Sequence, residues 1–162
     1  MDLSTLVVGC GNLLRGDDAV GPLLVRRLAE EGVPPHVRLI DGGTAGMDIG
    51  FAMRGMSRVI IVDAAATGAE PGAIFRVPGS ELEELPPPQS MNMHSFRWDN
   101  ALAFARWLLK SEYPEHIEVW LIEAAQLEHG AGLSEVVEAS MEKLVRRLTT
   151  ELAEESASLG TA

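Results

Sequence analysis

Asp18, Asp63 and His94 stand at the ends of three separate stretches of the chain and together make a mixed oxygen and nitrogen donor set. Two carboxylates and one imidazole suit zinc, nickel or a similar divalent ion, and they leave coordination positions open for a ligand on a substrate. Each residue also has a plainer reading. Asp17 or Asp18 can cap the helix that follows, a role that stabilises by about 1 kcal/mol, and one of the two is expected to do so. The second carboxylate is then repelled by its neighbour unless a cation faces it, which favours a metal. Asp63 taken alone reads equally well as a turn residue after a strand, and His94 alone as a cap or surface residue. Their conjunction points to one transition-metal ion.

Other chemistries find less support. Gly9-Cys10-Gly11-Asn12-Leu13-Leu14-Arg15-Gly16-Asp17-Asp18 follows a strand and opens a helix, as a dinucleotide loop does. The phosphate fingerprint, however, needs a third glycine where Leu14 stands and a helix entrance free to receive a pyrophosphate. Two carboxylates occupy that entrance and would repel one. Cys10 has no histidine base placed beside it and is expected to be a small buried side chain. No glycine-serine-glycine elbow follows a strand, so a serine triad has no basis. His36, His116 and His129 are expected on the surface, without a role.

The elements that must position these residues alternate. Thr5 to Gly9 is a short β-branched run, and Leu24, Val25 and Leu28 then recur at helical spacing before Gly32. Val37 to Ile40 and Arg58 to Val62 are two further strands, each running into an aspartate, Asp41 and Asp63, with a short helix between them. Ala73 to Val77 reads as a fourth strand and Glu118 to Ile122 as a fifth. Ser80 to Met93, with Pro86, Pro87 and Pro88, reads as a long loop. Ala101, Leu102, Ala105, Leu108 and Leu109 mark a third helix, and Ser134 caps a last one carrying Val137, Met141, Leu144, Leu148 and Leu152. The pattern predicts an α/β fold: a single three-layer domain with a twisted, mostly parallel five-stranded sheet and helices on both faces. The domain is expected over residues 1–153, with 154–162 as a frayed tail. In such sheets ligands bind outside the carboxyl ends of the strands, where the aspartates lie.

Composition bounds the partners. At 162 residues and 46% hydrophobic content, one domain can bury a core without staples. A formal net charge of −11 repels phosphate backbones and excludes nucleic acid as a general partner. No run of 18 apolar residues is present, so no membrane partner is expected. With Cys10 the one cysteine, no internal disulfide can form. The start of the chain shows no basic and apolar leader pattern, and the expectation is a cytoplasmic, soluble monomer.

Gly9-Cys10-Gly11-Asn12 with Gly16-Asp17-Asp18 and Gly21, then Asp41-Gly42-Gly43-Thr44-Ala45-Gly46, then Ile60-Ile61-Val62-Asp63-Ala64, then His94, closely resemble the hydrogenase maturation endopeptidase family in order and spacing. Gly132-Leu133-Ser134 extends the resemblance to nearly the whole chain. It implies an endopeptidase that removes a C-terminal extension from the large-subunit precursor of a [NiFe] hydrogenase after nickel insertion. The nickel would be carried by the substrate, with other divalent ions able to occupy the site in the free protein. Asp18, Asp63 and His94 match the family's metal-contacting and catalytic positions, and Asp41, Gly42, Gly43 and Thr44 its mobile loop near the incoming peptide. Many relatives have glutamate where Asp18 stands, so this carboxylate reaches one methylene less far. The metal would polarise the scissile carbonyl or a bound water, with Asp18 or Asp63 handling a proton. The alternative is a nickel-binding assembly chaperone that uses the same ligands without cutting.

Overall fold

Apolar runs without polar alternation belong to strands covered on both faces. A computed structural model describes residues 4–43, 46–78, 81, 102, 103 and 105–160. In it the runs form β1 (Thr5–Cys10), β2 (Val37–Gly43), β3 (Arg58–Ala65), β4 (Ile74–Pro78) and β5 (His116–Glu123). Their order across the sheet is β2-β1-β3-β5-β4. β1 pairs in parallel with β2 and β3, β3 pairs in parallel with β5, and β4 runs antiparallel along β5 at the edge. Pro78 is tolerated there because an edge strand leaves one row of backbone groups unused. The fold is the mostly parallel α/β sheet that the alternation predicts.

Helices α1 (Val20–Glu31), α2 (Gly46–Ala52) and α3 (Glu135–Gly160) cover the sheet, and residues 102, 103 and 105–109 are helical as well. Successive strand residues face opposite sides, and this divides the core in two. Val7, Ile60, Val62, Trp120 and Ile122 pack against Leu24 and Leu28 of α1 and Val137, Met141, Leu144 and Leu148 of α3. Leu6, Val8, Ile61 and Val119 pack against Ile49 near α2's middle, Met53, Leu102, Ala105 and Leu109. Three layers result. Among the described residues no helix is long and apolar enough to cross a membrane.

Two glycines let α1 lie directly on the sheet. A β-carbon at Gly21 would meet the carbonyl oxygens of Cys10 and Val62, and one at Gly9 would meet the carbonyl of Gly21. Only hydrogen fits between these backbones.

The end of the sheet away from the aspartates is closed by charge. Glu118 accepts from Arg58 and, at 2.6 Å, from Arg76, while Arg58 also reaches Glu151 at 3.2 Å. Burial opposes the Arg58 charge, but Glu118, Glu151 and Glu155 outweigh it and hold the group protonated above its ordinary value. Two sequence expectations are corrected here. His36 is not a surface residue but fully buried, its Nε2 lying 3.2 Å from Glu155 Oε2. The chain does not fray at 153 either: α3 continues to Gly160, because Glu155 also accepts from Thr5 Oγ1 at 2.9 Å and so ties the helix to β1. A hydropathy pattern shows where apolar contacts cease, and this tie is polar. His116 and His129 are exposed as expected.

Ending the chain at Ala153 should leave Thr5 Oγ1 and His36 Nε2 buried without their acceptor and lower the unfolding free energy by about 1–3 kcal/mol, measured by urea denaturation. Gly21→Ala should destabilise by about 1–3 kcal/mol in the same assay, since the added carbon has backbone on two sides and cannot relax by rotating a side chain. The Arg27 guanidinium bridges α1 to Glu142 of α3 at 2.8 Å and holds that carboxyl below its ordinary range. Its contribution is therefore complete above the unfolded value and is lost as pH falls through the depressed folded one. Arg27→Gln should lower stability at neutral pH, leave it nearly unchanged well below the folded value, and so flatten the acid limb of a stability-versus-pH curve followed by urea denaturation.

Candidate active site

The connection from β1 leads through α1 to β2 on one side, whereas β3 leads on toward β4 and β5 on the other. Adjacent parallel strands whose connections diverge leave a crevice outside their carboxyl ends, and that is where open α/β sheets bind ligands. Asp18 lies in the 3-10 turn Gly16–Ala19 after β1, and Asp63 lies near the end of β3. Gly9 is the register partner of Val62, so the two acids belong to neighbouring strand ends at this divergence. Both are fully buried. Asp18 Oδ2 accepts from the Asn12 backbone N–H at 3.1 Å, and Asp63 Oδ1 from the Ala64 N–H at 2.8 Å.

The turn that carries Asp18 is tightly determined. Asn12 Oδ1 accepts from the Leu14 N–H at 2.9 Å, and the Asp18 N–H donates to the Arg15 carbonyl at 3.0 Å. Gly11 has φ of +146°, and a β-carbon there would run into the Asp18 carbonyl. Its N–H donates to the Gly43 carbonyl at 3.0 Å, fastening the loop to the end of β2.

The expected helix cap is absent. Neither Asp17 nor Asp18 caps α1, whose N-cap Ala19 has no side-chain hydrogen bond. Asp17 turns to the far side of the loop instead. Its Oδ2 accepts from the N–H groups of Ala125 and Gln126 at 2.8 and 3.0 Å, and from Ser134 Oγ at 2.9 Å. Its Oδ1 accepts from the Ser134 N–H at 2.7 Å. Both acids lie within the 3-10 turn Gly16–Ala19, ahead of the N-cap position that Ala19 occupies, so neither stands where a capping side chain must.

Of the other predicted residues, Asp41 is exposed and its Oδ1 accepts from the Gly43 N–H at 3.0 Å. Gly42 is packed so closely that a β-carbon would meet Val8 Cγ1 at 2.8 Å, and Gly43 has φ of +50°. Cys10 is buried, as expected. Thr44 and His94 lie outside the described residues. Among the described residues no three histidine, cysteine or acidic side chains form a metal-ligating group. Asp18 and Asp63 carry buried carboxylates on neighbouring strand ends, a donor type that could hold a divalent ion only together with ligands from elsewhere.

Sequence reasoning missed the segment from Ala125 to Ser134 as part of this rim. It lines the β1–α1 loop through Gly130 N–H to the Leu14 carbonyl at 2.9 Å, Asp17 N–H to the Gln126 carbonyl at 3.0 Å, and a bridge between Arg15 and His129. The paired Asp17-Asp18 signalled that one acid had a partner but not where. Glu123, buried at the end of β5, likewise accepts from Thr67 N–H, Thr67 Oγ1 and Gly68 N–H and sets the loop after β3.

Comparison with known proteins agrees with this architecture. The model of the hydrogenase maturation protease family matches residues 22–151. The hydrogenase 2 maturation protease of Escherichia coli is 29% identical over 151 residues, covering 92% of this chain and 90% of that protein. The hydrogenase expression/formation protein HupD of Thiocapsa roseopersicina is 30% identical over 132 residues, of which the match spans 81% of this chain and 59% of the longer relative. The solved structure of the hydrogenase maturating endopeptidase HybD from E. coli superposes with a TM-score of 0.80 at 29% identity, covering 94% of both chains. A family match across most of the chain and the same fold over nearly its whole length lead to one conclusion: this chain belongs to the hydrogenase maturation protease family.

Proposed function

We propose that this protein is an endopeptidase that removes the C-terminal extension from the large-subunit precursor of a [NiFe] hydrogenase once nickel has been inserted. The observation that supports this reading best is the pair of buried carboxylates, Asp18 and Asp63, at neighbouring strand ends where the chain connections diverge, in a member of this family. Carboxylate oxygens with an imidazole suit nickel, and a protein that supplies only part of the ligand set can read an ion already held by its substrate. Cleavage is then conditional on correct loading. Asp18, Asp63 and His94 contact that ion in this reading. When present on the substrate, nickel would supply Lewis-acid chemistry at the scissile peptide bond, and Asp18 or Asp63 is the group placed to carry a proton. Asp41, Gly42 and Gly43 at the end of β2, with Thr44 next in the sequence, border the incoming peptide in this reading. The net charge of −11 favours a soluble monomer that meets its client transiently, and the single cysteine Cys10 suits a reducing cytoplasm.

Incubation with nickel-loaded and nickel-free large-subunit precursor, followed on a gel, should shorten the loaded form alone. Asp63→Asn and His94→Ala should each lower that rate by about 10²–10⁴-fold. Unchanged processing by either variant removes that residue from the site, and binding without shortening across several clients replaces the peptidase by a chaperone.

A further inference from the structure

Resting on the functional reading above, we infer that Asp17 and Ser134 are a positioning pair that sets the aim of Asp18. The two adjacent acids have opposite tasks. Asp17 is fully buried, and its carboxylate takes four hydrogen bonds from one segment: the N–H groups of Ala125, Gln126 and Ser134 and the hydroxyl of Ser134. Hydrogen bonds from neutral donors to a carboxylate are the stronger kind, and four converging on one buried group leave it a single orientation. Ser134 Oγ donates to Asp17 Oδ2 and accepts from the Val137 N–H at 3.4 Å, so the start of α3 and the turn after β1 share one hydroxyl. The Asp17 backbone is held from the same side by its N–H bond to the Gln126 carbonyl. Gly16 at φ +51° lets the chain approach closely, where a β-carbon would meet Gln126.

Asp18 is the next residue in this turn. A 3-10 turn rotates successive side chains by about 120°, so fixing Asp17 toward the segment after β5 directs Asp18 away from it. Asp18 Oδ2 then receives the Asn12 N–H at 3.1 Å, and that amide reports on the carboxylate's position directly. A catalytic group displaced by about 1 Å can lose about 10²-fold in rate, so the pair matters to cleavage although neither member touches substrate.

The test compares Asp17→Asn, Ser134→Ala, Ser134→Thr and Asp18→Asn in the full-length protein, with two readouts. The first is the backbone amide resonance of Asn12 in a ¹H–¹⁵N spectrum. The second is kcat and KM for cleavage of nickel-loaded precursor. Ser134→Ala should move the Asn12 resonance and lower kcat with KM unchanged, and Ser134→Thr, which keeps the hydroxyl, should restore both. Asp17→Asn places an N–H₂ among donors and should lower kcat by about 10²-fold. Should Asp17→Asn fail to fold, the two serine variants decide. An Asn12 resonance unmoved by Ser134→Ala, or a fall in kcat that Ser134→Thr does not restore, overturns the inference. Full cleavage by Asp18→Asn instead overturns the functional reading, and the Asn12 resonance then judges the positioning pair alone.

Discussion

Everything at the candidate site hangs from β1. Its six residues, Thr5 to Cys10, are all buried, and it is hydrogen-bonded along both edges by parallel neighbours. Fully burying a Val or Leu side chain stabilises by about 1.5–3 kcal/mol, so Leu6, Val7 and Val8 fix this strand firmly. The chain leaves β1 at a point where β2 and β3 already flank it, and the next segment must turn sharply up and over. The glycine contact between β1 and α1 sets how closely it does so. A helix seated on bare backbone has little freedom to slide, and the turn before it inherits that rigidity.

The two acids of that turn show how one residue type serves two ends. A carboxylate surrounded by N–H and O–H donors, as at Asp17, is satisfied by protein alone and becomes a staple. Asp18, one residue on, lies on the loop side beside Asn12, and Asp63 lies across the divergence on β3. Loop, turn and the Ala125–Ser134 segment form one wall of the rim, and that wall is built from backbone groups already committed to one another.

At the other end of the sheet, polar side chains do what apolar ones do in the core. Arg58, Arg76, Glu118, Glu151 and Glu155 make a connected network around β3, β5 and α3, and the Arg76 and Arg147 guanidinium groups both lie 5.1 Å from the Trp120 ring. Replacing part of such a network leaves charges exposed to a low-dielectric wall, whereas an intact one holds strands and helix in register. This network lies at the end of the sheet opposite the rim that carries Asp18 and Asp63.

Short apolar runs alternating with helical periods were enough to specify the five strands, their largely parallel arrangement and the three layers, because strand and helix periodicities are local properties of the chain. The aspartates at strand ends were legible for the same reason: where an apolar run stops, a rim begins. What no local pattern contains is which side chain meets which across long sequence separation. Asp17 meets Ser134 at a separation of 117 residues and Thr5 meets Glu155 at 150. Hence a presumed helix cap became a staple, a presumed surface histidine became a buried partner of Glu155, and the last helix kept its order seven residues past the expected boundary, from 153 to Gly160. Hydrogen bonds are directional and short-ranged, so their pairings exist once the sheet and helices have been brought together, and tertiary structure alone decides them.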